Sequence, residues 1–197
     1  MARIKYPKRL YVTKDDTTYF GFDQAWYPSL WRRKVGCAPA CATMQIIYLN
    51  QRNKLNLPYS NESYNRLIDC MNAIWSYVTP GLRGVSSLNQ YEAGVLKMAE
   101  NYGVRLKSRK LEVDMKKPPD HTKVLNFIQA AINADTPVAF FNRHNADMRG
   151  LDHWHWVIIV AIEGSIIVCY DKGKRIKLDI REWLKHTAKG GGFIYFS

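Results

Sequence analysis

The sequence predicts an α+β fold in which a mostly helical N-terminal part packs on a C-terminal antiparallel β-sheet. Residues 37–134 carry apolar residues at helical spacing in several runs, each bounded by capping or breaking residues. From Pro137 onward the runs become short and β-rich, with one short helix over Ile180–His186. The 197 residues, 47% apolar and 23% charged, are those of a globular chain that can bury a core as one domain over 1–197.

In chain order, the basic residues 1–10 read as a mobile arm. Leu10–Phe22, rich in Tyr, Val, Thr and Phe, suggests a short strand or extended segment, and Asp23–Lys34 a loop carrying Trp26, Tyr27 and Trp31 before the triplet Arg32–Lys34. Val35–Asn50 is the stretch around which the rest is organised: Gly36 allows a tight turn, Pro39 suits a first helical turn, and Cys37, Ala40, Cys41, Met44, Ile47 and Tyr48 form an apolar stripe. Gln51–Pro58 is a polar connector. Ser60, Asn61 or Ser63 can cap a helix over about 64–77, and Ser86 or Ser87 one over about 88–102 that Gly103 ends in a left-handed conformation. A strand over 104–111, a Pro118–Asp120 turn and a helix over 121–134 follow. The β-rich runs are 137–142, 154–162, 165–171, 175–178 and 193–196.

The formal charge of +12 would suit an anionic partner, but the basic residues are scattered in sequence and no nucleic-acid motif is present, so they read as solvated surface and nucleic acid is not the expected partner. The four cysteines, Cys37, Cys41, Cys70 and Cys169, do not form a disulfide framework. No apolar run is long enough to span a bilayer and the basic N-terminus lacks a signal-peptide core, so a cytoplasmic location is expected.

Two segments carry chemistry. Cys37 falls at the start of its helix, where free backbone N–H groups and the positive end of the helix dipole favour a thiolate. A cysteine on an apolar face is by itself core material, and the histidine segment makes the difference. His155 opens the strand WVIIVAI, and an imidazole among apolar residues needs polar partners. If the following hairpin has a three-residue loop, Ile162–Gly164, His155 lies opposite Asp171; a two-residue loop sets it against Lys172. Nucleophile, base and orienter would then stand in line. His153 shares the parity of His155 but lies nearer the loop, and Asn142, ending the preceding run, is a further polar candidate or a turn former.

In order, GCAPACATMQIIYL, HWHWVIIVAIEG and VCYD resemble the papain-like cysteine peptidases of the bacteriocin-processing type; YFGFDQAWYP ahead of GCAP looks closer still to uncharacterised bacterial papain-like proteins. The resemblance implies a papain-like fold, with Cys37 as nucleophile, His155 as general base, Asp171 as its orienter and Gln24 as an oxyanion-hole donor beside the Cys37 backbone N–H. Ala38 stands where that family usually has Gly, and Gln24 lies further ahead of the cysteine than its pattern has it. The function implied is a thiol hydrolase of peptide or amide bonds that needs no cofactor. The alternatives are a silent papain-like module that binds a peptide or anionic partner through Trp26, Tyr27, Trp31 and the basic triplet, and a metal site from Cys37, Cys41, His153 and His155. The last has atypical ligand spacing.

Overall fold

A computed structural model describes residues 1–197 and has the α+β architecture expected, with the Cys37 helix packed on an antiparallel sheet. The helices are α1 (Leu30–Val35), α2 (Cys37–Asn53), α3 (Tyr64–Trp75), α4 (Leu88–Asn101), α5 (His121–Asn133) and α6 (Ile180–His186). The strands are β1 (Ala2–Arg3), β2 (Tyr11–Lys14), β3 (Thr17–Phe20), β4 (Ser108–Val113), β5 (Val138–Asn142), β6 (His155–Glu163), β7 (Ile166–Asp171), β8 (Lys174–Asp179) and β9 (Gly191–Phe196). The main sheet runs β4-β9-β5-β6-β7-β8, with β1 added beside β6. No helix is long and apolar enough to cross a membrane.

Helix α2 is buried on every side from Cys37 to Leu49, not along one stripe, because β5 and β6 lie on one flank and α3 and α4 on the other. Its one long polar side chain in that span is fully engaged. Gln45 Nε2 donates to the carbonyls of Pro137 (2.9 Å) and Ile194 (3.1 Å), and Tyr91 Oη donates to its Oε1 (2.9 Å). That set of bonds fixes the rotation of α2 against the sheet. Ser63, Ser87 and Asp120 cap α3, α4 and α5 by accepting from backbone N–H groups in the first turn.

Five expectations are corrected. Residues 1–10 are no mobile arm: Ala2 and Arg3 pair with Ile162 and Ala161, Ile4 and Leu10 are fully buried, and Lys5 N donates to Asp135 (2.7 Å). Because β5 pairs with β6 only from His155 to Ile159, the far half of that edge is open and the N-terminus covers it. Leu10–Phe22 is a hairpin of two strands, turned by Asp15 and Asp16, both in the left-handed region. The loop before Cys37 contains the helix α1, capped by Ser29, and α2 runs on to Asn53 through part of the polar connector.

The fifth correction concerns the β6–β7 hairpin. Glu163 pairs with Ile166, so the loop is Gly164–Ser165, neither of the two expected. Carried straight on, that register would set Asp171 opposite Ile158, on the face away from His155. A bulge at Val160 shifts it by one residue, so that Ile159 pairs with Cys169 and Ile158 with Tyr170. Continuation of that register brings Asp171 opposite Val157, on the His155 face. Ile4 N takes the Val160 carbonyl (3.0 Å), so the N-terminal segment braces the bulge.

Candidate active site

Gly36 makes the turn between α1 and α2. A Cβ there would lie 2.4 Å from the Arg32 carbonyl oxygen and 2.7 Å from the Tyr27 ring, so only glycine lets the two helices approach this closely. Cys37 is consequently the first residue of α2, where backbone N–H groups have no acceptor within the helix. It is 9% exposed and lines an open cavity.

His155, at the start of β6, faces it. His155 Nε2 and Asp171 Oδ1 are 2.7 Å apart, and both side chains are buried. The Cys37 thiol is the ring's other polar neighbour and acts on its protonation. Burial by itself would push the imidazole pKa down. The hydrogen bonds and charges of Asp171 and Cys37 outweigh it and hold the ring at about 10. Cys41, one turn along α2, is pushed the opposite way for a nucleophile: burial, then the neighbouring Cys37 and Asp171, raise its thiol well above the usual range. Burial does the same to Cys169.

Gln24 lines the same narrow crevice as Cys37, Cys41, His155 and Asp171. Its Nε2 donates to the Arg33 carbonyl (2.6 Å), while its Oε1 is buried without a partner. One amide hydrogen is thus committed to α1 and the second is not. Asn142 sits directly opposite His155 in the β5–β6 ladder, but its Nδ2 donates to the Asp152 carbonyl (2.6 Å) and so ties down the loop that precedes the histidine. His153 lies apart from the crevice, in the outer cavity, and its Nδ1 accepts from Asn145 N (3.3 Å).

The residues are therefore divided by place. Cys37, His155 and Asp171 share one crevice, with His155 hydrogen-bonded to Asp171; Gln24 lies beside them, and His153 does not join them. No group of three or more His, Cys, Asp or Glu side chains is arranged to hold a metal ion. The aromatic surface considered for a binding module is not one surface. Tyr27 is fully buried against Trp75, Trp26 packs edge-on to Tyr19 and Tyr64, and of the three only Trp31 is exposed.

Sequence reading missed the Lys172–Asp152 ion pair, which links the turn after Asp171 to the loop before His155. Lys172 follows Asp171 directly and Asp152 stands three residues before His155, which was the available signal. It also missed the left-handed backbone of Trp154 (φ 52), which turns the chain just ahead of His155.

No family model and no curated protein matches the chain. Among solved structures it is similar to the peptidase domain of Streptococcus ComA, a bi-functional ABC transporter involved in a quorum-sensing pathway: 14% identity, 87% of this chain and 96% of that one, TM-score 0.46. It is also similar to a double-glycine-motif protease from an AMS/PCAT transporter, solved with the leader peptide: 16% identity, 81% of this chain and 82% of that one, TM-score 0.43.

Proposed function

We propose that the protein is a papain-like thiol hydrolase that cleaves a peptide or amide bond through an acyl-enzyme on Cys37. The observation that carries this is the buried His155–Asp171 hydrogen bond with Cys37 beside the same ring, in one crevice and at the wall of an open cavity. A ring held at about 10 keeps a proton at neutral pH and can hand it to a leaving group, and Cys37 beside it is the nucleophile, attacking as the thiolate. The thiolate attacks the scissile carbonyl carbon. Negative charge moves to the carbonyl oxygen, where the Cys37 backbone N–H and the second amide hydrogen of Gln24 receive it. His155 gives its proton to the leaving amine as the C–N bond breaks, leaving a thioester. His155, now neutral, takes a proton from water, whose oxygen attacks the thioester; the carboxylic acid leaves and the sulfur regains its place beside the imidazolium. Asp171 holds the ring in the tautomer and orientation that both steps need.

The test is a mixed peptide library digested by the wild type and by Cys37→Ala, read by mass spectrometry, beside the rate of iodoacetamide alkylation at Cys37. Cleavage that Cys37→Ala abolishes, with Cys37 alkylated faster than glutathione at neutral pH, is expected. Cleavage that survives in Cys37→Ala, or no cleavage of the library by the wild type, would overturn the proposal.

A further inference from the structure

The cavity that opens from Cys37 has a volume of about 450 Å³, within the range of small-ligand and peptide side-chain sites. Its charged lining is entirely basic: Lys34, Arg83 and Lys189, with His153 and the Trp154 ring beside them. No carboxylate lines it, and none of the three cations takes part in an ion pair. The acid nearest to the cavity in sequence, Asp152, is taken by Lys172. The three come from segments far apart in the chain, and each segment is held in place. Lys34 is in the last turn of α1. Arg83 is on a tight turn closed by Gly81 N to Gly84 O (3.1 Å) and Gly84 N to Gly81 O (3.0 Å), and Trp156 Nε1 anchors the next residue by donating to the Val85 carbonyl (2.9 Å). Lys189 lies over Trp154, next to Gly190, whose carbonyl accepts from Arg143 N (3.0 Å). His153 adds a neutral donor: with Nδ1 accepting from Asn145, an uncharged ring carries its hydrogen on Nε2.

Like charges brought together around a hollow repel one another unless an anion joins them. We propose that this cavity is a carboxylate-recognition subsite, so that the peptide cut at Cys37 carries an acidic group within a few residues of the scissile bond. This rests on the hydrolase reading above and adds its substrate class. The carboxylate is that of an Asp or Glu side chain or of a free C-terminus; either fits three cations and an N–H donor.

The test compares kcat/KM for peptides that differ in one group. Glu is set against Gln and against Lys at each position around the cut, and a free C-terminal carboxylate is set against its amide. The expected result is a preference of about tenfold or more for the acid at one position, weakening as salt rises, since these cations are exposed. Arg83→Glu and Lys189→Glu are each expected to reduce that preference by about three- to tenfold and to raise the relative rate of the Lys peptide. Both side chains are exposed, so the substitutions leave the core untouched. A response confined to the C-terminal pair identifies the terminus as the group bound; a response at an internal position identifies a side chain. Cleavage of acidic, amide and basic peptides at equal rates, or a preference that both reversals leave unchanged, overturns the subsite while leaving the hydrolase reading in place. Absence of any cleavage overturns both.

Discussion

Replacing Asp171 by Asn isolates the electrostatic part of the proposed site. The amide has nearly the shape of the carboxylate and its oxygen can still accept from His155 Nε2–H, but the negative charge is gone. In the native protein that charge stands 2.7 Å from a ring that is 5% exposed, so little solvent screens the pair. A buried hydrogen bond to a charged group contributes about 1.5–3 kcal/mol. At about 1.4 kcal/mol per pK unit, the ring should titrate about one to two units lower in the variant. The wild-type ring, held at about 10, keeps its proton throughout the neutral range. In Asp171→Asn the titration should move towards neutrality, and the imidazolium that protonates the leaving amine should be lost correspondingly earlier as pH rises. The assay is an NMR pH titration of ¹³C-labelled histidine, with the alkaline limb of kcat/KM as its kinetic counterpart and thermal denaturation as the check on folding. A folded variant whose His155 titrates where the wild type does would refute the reasoning.

Three further outcomes follow from the same geometry. Gln45→Leu strands the Pro137 and Ile194 carbonyls and the Tyr91 hydroxyl in the core, at about 1–3 kcal/mol each; urea denaturation should show a loss of about 3 kcal/mol or more, and a loss under about 1 kcal/mol would contradict the role given to this residue. Gly36→Ala forces a methyl to within 2.4 Å of the Arg32 carbonyl oxygen, and overpacking of this kind costs about 1–3 kcal/mol; a lower melting temperature and slower alkylation of Cys37 are expected together. The raised pKa of His155 also links stability to pH. Because the folded value lies above the unfolded one, the contribution is fully present below about 6.5 and is lost as pH rises through about 10, so stability measured over that window should fall, and His155→Gln should flatten the fall.

Much of the scaffold was legible because it is local. Ser63, Ser87 and Asp120 stand at the starts of helical runs and do cap them, and Gly103 takes the left-handed conformation that ends α4. Sequence order also carried Cys37, His155 and Asp171 to the same list of candidates, since each sits at an end of its helix or strand. The features that were not legible are non-local. Nothing in WVIIVAI marks Val160 as the bulge, because no glycine is needed there and the shift is held by the N-terminal strand lying alongside. Ala2–Ile4 looks like loose chain until β5 is seen to leave half of β6 uncovered. Lys34, Arg83 and Lys189 do not read as one group in a basic chain until the last turn of α1 and two separately anchored loops bring them to one cavity. Gln24 sits beside Cys37 through the turn at α1 and its bond to Arg33, a placement that spacing along the chain does not encode.

The central claim is that the thiol of Cys37 and the imidazole of His155 act as one unit on a carbonyl. It is tested most directly by mixing the protein with an activated ester under acid quench and measuring the intact mass, followed by peptide mapping. One acyl group per chain, on Cys37, absent from Cys41 and formed far more slowly in His155→Ala, is the result expected. Acylation elsewhere, or acylation of Cys37 at the same rate without the imidazole, would contradict it.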